Sequence, residues 1–79
     1  MKVYIVFRGC DNEGQDIESV HADIISAREA VEEILRVCAA EGFIYSVPEK
    51  DAPGGIRLWR WRDHFISIEP HEVQSSSTK

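Results

Sequence analysis

Basic side chains are almost missing from one stretch of this 79-residue sequence. Between Asp11 and Glu33 only Arg28 stands against eight carboxylates, a formal net charge of −7. The whole chain carries −5, which disfavours duplex DNA and anionic membranes as partners, because phosphate binding rests on lysine and arginine. Cysteine is scarce as well. Cys10 and Cys38 have no C-x-x-C spacing, so neither a disulfide scaffold nor a thiolate metal site is expected, and two free thiols in a reducing cytosol are the expectation. No apolar run reaches the length of a membrane span, and the first residues lack the basic-then-apolar layout of a signal peptide. There are no internal repeats. A soluble, intracellular chain is expected.

What is present reads as one α+β domain over residues 1–73, followed by a polar tail over 74–79. Val3-Tyr4-Ile5-Val6-Phe7 is β-branched and aromatic without Gly or Pro, and reads as a central strand. Asp11-Asn12-Glu13-Gly14 has turn composition. A second strand is expected from Ile17 to about Ile24, with Val20, Ala22 and Ile24 on one face and Ser19, His21 and Asp23 on the other. Ala27, Ala30, Val31, Ile34, Leu35 and Cys38 recur at helical spacing and place an amphipathic helix over about 27–41. Ser26 and Glu29 match a capping box at its start, and Gly42 suits its C-terminal end. Further strands are expected at Phe43–Val47, Ile56–Arg62 and Phe65–Ile68, the last stopped by Pro70. The order ββαββ or ββαβββ implies a small antiparallel sheet with the helix on one face.

Motifs for chemistry are few. His21, His64 and His71 lie on separate segments, so no metal site is expected, and no cofactor. The Asp11–Asp16 stretch lacks the alternating ligands of a calcium loop and has Ala22 where the bidentate glutamate would fall. Gly54-Gly55 lacks the Lys-Ser/Thr of a phosphate loop. Cys10 and His21 could meet across neighbouring strands, but nothing in the sequence supplies an orienting group or an oxyanion hole. The expectation is a protein without enzymatic activity.

Two patches remain as candidate binding sites. The first is the acidic set Asp11, Glu13, Asp16, Glu18, Asp23, Glu29, Glu32 and Glu33. Spacing allows Glu32 to pair with Arg28 and Arg36, whereas Glu29 and Glu33 repel one turn apart and the loop carboxylates have no local base. Such a surface suits a basic protein partner, or serves solubility alone. The second is the strand Arg57-Leu58-Trp59-Arg60-Trp61-Arg62, where Trp59 and Trp61 share a face with Arg57. It reads either as a stacking platform for unpaired bases or as sheet surface lying under the helix. Self-association through an exposed sheet face is a third possibility.

With these residues in place, the chain resembles small phage and prophage proteins. The resemblance rests on Lys2-Val3-Tyr4-Ile5-Val6, Ile17-Glu18-Ser19-Val20, Ala27-Arg28-Glu29-Ala30 and Phe65-Ile66-Ser67-Ile68-Glu69. It is similar in size and acidity to anti-CRISPR proteins of the DNA-mimic kind. That resemblance implies a cytoplasmic inhibitor in a bacterial host, binding the basic DNA-binding groove of a CRISPR effector without touching nucleic acid itself. It fixes no individual functional residues.

Overall fold

A computed structural model describes residues 1–48 and 50–73; the expected polar tail lies outside them. Four strands and one helix are arranged as β1 (Lys2–Cys10), β2 (Gly14–His21), α1 (Ile24–Ala40), β3 (Arg57–Trp61) and β4 (His64–Glu72). All strand pairs are antiparallel and the sheet order is β2-β1-β4-β3, an α+β fold of ββαββ order. β1 and β4, distant in sequence, pair over nine residues from Lys2↔Glu72 to Cys10↔His64 and form the sheet's centre.

The helix stripe packs as its spacing dictates. Ala27, Val31 and Cys38 are buried, and Ala30, Ile34 and Leu35 pack partly buried against the same core. Beneath them Val6, Trp59, Ile66 and Ile68 form the sheet side of that core. The start of the helix differs from the capping box. Asp23 is the N-cap, accepting from the Ser26 amide at 2.8 Å, so the helix begins three residues earlier than expected. Asp and Ser are both strong capping residues. Ser26 is engaged elsewhere, its hydroxyl 2.7 Å from His21 Nδ1, and His21 Nε2 lies 2.7 Å from the Ser19 hydroxyl. The end follows expectation: Gly42 adopts φ +94, and the amides of Gly42 and Phe43 bond the carbonyls of Ala39 and Cys38, a Schellman motif.

Two expected strands change. Phe43–Val47 forms no strand; it contributes one bridge, Ser46 to Arg60, and then leaves the β3 edge. β4 runs through Pro70 to Glu72. This is possible because β3 reaches only as far as Ile68, so the last part of β4 is bonded on one side, a setting in which a missing N–H is tolerated. The second strand also ends at His21, leaving Ala22 outside it and Ile24 as the first helical residue. Within it, Ser19 pairs with Val6 while Ile17 pairs with Phe7, so Glu18 is the extra residue of a β-bulge.

Candidate functional site

The sheet order sets the charge distribution. β2, which carries Asp16 and Glu18, is one edge of the sheet, and β3, which carries Arg57 and Arg60, is the other. Three inter-strand spacings separate them, roughly 14 Å, which exceeds the ~8 Å screening length at physiological salt. The arginine strand therefore leaves the charge of the β2 edge largely uncompensated. Local folding produces this because the acidic turn and strand are adjacent in sequence, whereas the basic strand enters the sheet from the far side of β4.

Each of the eight carboxylates has its own place. Asp11 is neutralised: both its oxygens accept from Arg60 Nη1, at 3.0 and 2.9 Å, across 49 residues of sequence. Asp23 is spent on the helix cap. Glu33, not Glu32, takes Arg36 as its ion-pair partner. Glu32 lies on the other flank of α1, lining a cavity of about 190 Å³ with Arg28, Arg57 and Trp59. Glu13, Asp16, Glu18 and Glu29 are exposed and have no ion pair among the described residues. Glu13 sits in the β1–β2 turn, Asp16 and Glu18 on β2, and Glu29 on α1, which packs over β1 and β2. At 100° per residue Glu29 points straight outward, opposite the buried stripe, with Glu32 turned to one flank and Glu33 to the other. Glu13, Asp16 and Glu18 thus lie together on the β1–β2 hairpin, Glu29 stands on the outer face of α1, and Asp11, Asp23 and Glu33 are each engaged by a partner.

The Arg/Trp strand resolves differently. Trp59 is only 6% exposed and belongs to the core under α1. Trp61 is half-buried among other rings, with centroids 4.7 Å from Phe43, 5.3 Å from His64 and 6.5 Å from Tyr45. Arg62 lies over the Trp61 ring at 5.0 Å, and Arg57 contacts Asp51 at 3.4 Å. Trp59 and Trp61 share a face, as strand alternation requires, but it is the covered face, and they do not form an open stacking platform.

Sequence reasoning missed one constellation. Cys10 meets His64, not His21: the thiol lies 3.0 Å from His64 Nδ1, and His64 Nε2 is 3.6 Å from an Asp63 oxygen. The pair forms because β1 and β4 place Cys10 opposite His64, a register no local pattern reveals. Loss of solvent around Cys10, followed by the charges of Glu13, Asp63 and Asp11, raises its pKa above the ordinary thiol range. It is therefore protonated at neutral pH, and a protonated thiol is a weak nucleophile. Nearby, Arg8, Phe43, Tyr45, Trp61 and His64 line a cavity of about 230 Å³. Arg8 donates to Cys38 Sγ at 3.4 Å, and burial above all raises the Tyr45 hydroxyl pKa. Both cysteines are free thiols. Among the described residues no three His, Cys, Asp or Glu side chains converge on a point where a metal could sit, and no helix is long and apolar enough to cross a membrane.

Comparison with protein-family models, with curated proteins and with solved structures found no match to this chain.

Proposed function

We propose that this chain is a non-enzymatic inhibitor that presents its acidic side to a basic, DNA-binding groove of a protein partner and keeps DNA out. The observation that carries this reading is the segregation of charge. Glu13, Asp16, Glu18 and Glu29 are exposed carboxylates without ion-pair partners among the described residues, three of them on the β1–β2 hairpin, while Arg57 and Arg60 stand on β3 at the opposite edge of the sheet and Arg60 is already engaged by Asp11. Carboxylates held on a strand edge and a helix face are spaced, fixed negative charges, which lysines and arginines that normally hold phosphates can engage. The resemblance to DNA-mimic anti-CRISPR proteins supports a CRISPR effector as the partner, where such basic residues hold duplex DNA beside the recognition sequence.

The test is binding to a purified effector complex, read together with target-DNA capture. Reversing Glu13, Asp16 and Glu18 to lysine should weaken binding by about tenfold to a hundredfold, since like charges facing each other across an interface cost several kcal/mol. Added salt should slow association more than it speeds dissociation. Unchanged affinity in the reversed protein, or an effector that still captures DNA while this chain is bound, overturns the proposal.

A further inference from the structure

Arg8 is a cation without a carboxylate in a chain rich in them. Alternation along β1 puts it on the helix side of the sheet, two residues beyond the core residue Val6. Its guanidinium donates to Cys38 Sγ at 3.4 Å, and sulfur is a weak acceptor. No carboxylate lies within ion-pair distance of it among the described residues. Asp11 is held by Arg60, and Asp63 lies 3.6 Å from His64 Nε2. A guanidinium carries five donors in a planar fork, and Cys38 takes only one of them.

What surrounds Arg8 is aromatic. Gly42 turns the chain at the end of α1, so Phe43 and Tyr45 come down beside Trp61, which pairing of β3 with β4 sets opposite His64. With Arg8 these residues line the cavity of about 230 Å³. Phe43 and His64 both pack on the Trp61 ring, one tilted and one stacked. Walls already fixed by mutual contact need little further ordering when a ligand enters. Phe43 is still 37% exposed, so apolar ring surface is open to such a ligand. Burial chiefly raises the Tyr45 pKa, with the Arg8 guanidinium opposing it. The phenol therefore keeps its proton at neutral pH and is a second donor close to Arg8.

These features select a ligand. A planar fork of donors matches a carboxylate and can bind both of its oxygens at once. Ring walls beside the fork match a flat apolar body. The volume falls below the ~300–1,000 Å³ of pockets that enclose drug-sized molecules, which limits that body to about one ring. We propose that this cavity binds a small aromatic carboxylate, with its carboxylate on Arg8 and Tyr45 and its ring against Phe43 and Trp61. The acidic hairpin takes no part, so this site stands or falls separately from the inhibitor reading.

Nitrogen–proton NMR of the full chain, with benzoate as the probe, tests this. The two indole N–H signals report on the two tryptophans, and Trp61→Phe assigns them. Benzoate should shift the Trp61 signal saturably, with a dissociation constant of about 1 mM or tighter, and leave Trp59 in place. Benzyl alcohol, which lacks the charge, and acetate, which lacks the ring, should each bind at least about tenfold more weakly. Arg8→Gln replaces an exposed side chain, so the fold should hold. Benzoate binding should then fall at least about tenfold, while that of benzyl alcohol stays unchanged. Arg57→Gln, at the opposite end of β3 from Trp61, should leave both unchanged. Absence of a saturable shift overturns the proposal. So does benzyl alcohol or acetate binding as tightly as benzoate, full benzoate affinity in Arg8→Gln, or an equal loss in Arg57→Gln. Should Arg8→Gln not fold, the three probes on the unsubstituted chain decide by themselves.

Discussion

Gly9 is the position where one methyl group should do the most damage. It lies near the end of β1 opposite Gln15 of β2, and its backbone angles are open to any residue. Space is what it lacks. A Cβ at Gly9 would stand 2.2 Å from the Gly14 carbonyl oxygen, 2.8 Å from Gln15 Cα and 2.9 Å from Gln15 Cβ. The first two are backbone-fixed and cannot rotate away, so in Gly9→Ala the hairpin end must separate by close to an ångström. That disrupts the last pairings, Gly9 with Gln15 and Cys10 with Gly14. Overpacking costs about 1–3 kcal/mol and each lost backbone bond about 1, giving an expected loss of about 2–4 kcal/mol. A domain of this length holds only ~4–12 kcal/mol in total. Urea unfolding followed by tryptophan emission should show a midpoint lower by about 2–4 M, at a slope near 1 kcal/mol/M. Gly14→Ala is the control: it has open space but φ +80, and should cost only about 1 kcal/mol through strain. A Gly9→Ala loss below ~1 kcal/mol, or no larger than the control, refutes the close-approach argument. Because this hairpin carries Glu13 and Asp16, Gly9→Ala should also weaken partner binding while changing no charge.

Three further outcomes are expected. Asp23→Ala removes the side chain that caps α1 and should lower stability by about 0.5–2 kcal/mol in chemical denaturation, whereas Ser26→Ala should leave the cap bond intact. Ser67 is 2% exposed and its hydroxyl has no hydrogen-bond partner among the described residues, so Ser67→Ala should be neutral or stabilising by up to about 1 kcal/mol; a loss above that would reveal a partner for the hydroxyl. Alkylation of Cys10, measured on a Cys38→Ala chain, should be slower at neutral pH than that of a free thiol. Its rate should climb only at higher pH than an ordinary cysteine's, because a raised pKa lowers the thiolate fraction at any given pH; Asp63→Asn should shift the profile back downward.

Much of the fold was legible because it obeys local rules. Six apolar side chains at helical spacing specify which face of α1 is buried, and Gly42 ends the helix because it alone there adopts a left-handed angle without penalty. The helix start was less legible, since Asp23 and Ser26 compete for the same role and the outcome depends on His21 engaging the Ser26 hydroxyl. Phe43–Val47 has strand composition, yet only Ser46 meets β3. Phe43 and Tyr45 pack instead near Trp61, a tertiary contact that composition does not encode. The acidic patch was legible as a count; its partition was not.

The sequence by itself determined the helix, the apolar centre strand, the turn at Asp11–Gly14 and the concentration of carboxylates before Glu33. Each of these is a property of neighbours along the chain. Tertiary structure decided which charges stay unpaired. Arg60 reaches Asp11 across 49 residues, and Cys10 reaches His64 across 54, because β4 returns alongside β1. The same return puts the acidic and basic strands on opposite edges, and one bulged residue decides that Ile17 and not Glu18 pairs with Phe7. Register and strand order are long-range choices, fixed by burying Val6, Trp59, Ile66 and Ile68 together under α1, and no window of local sequence contains that sum.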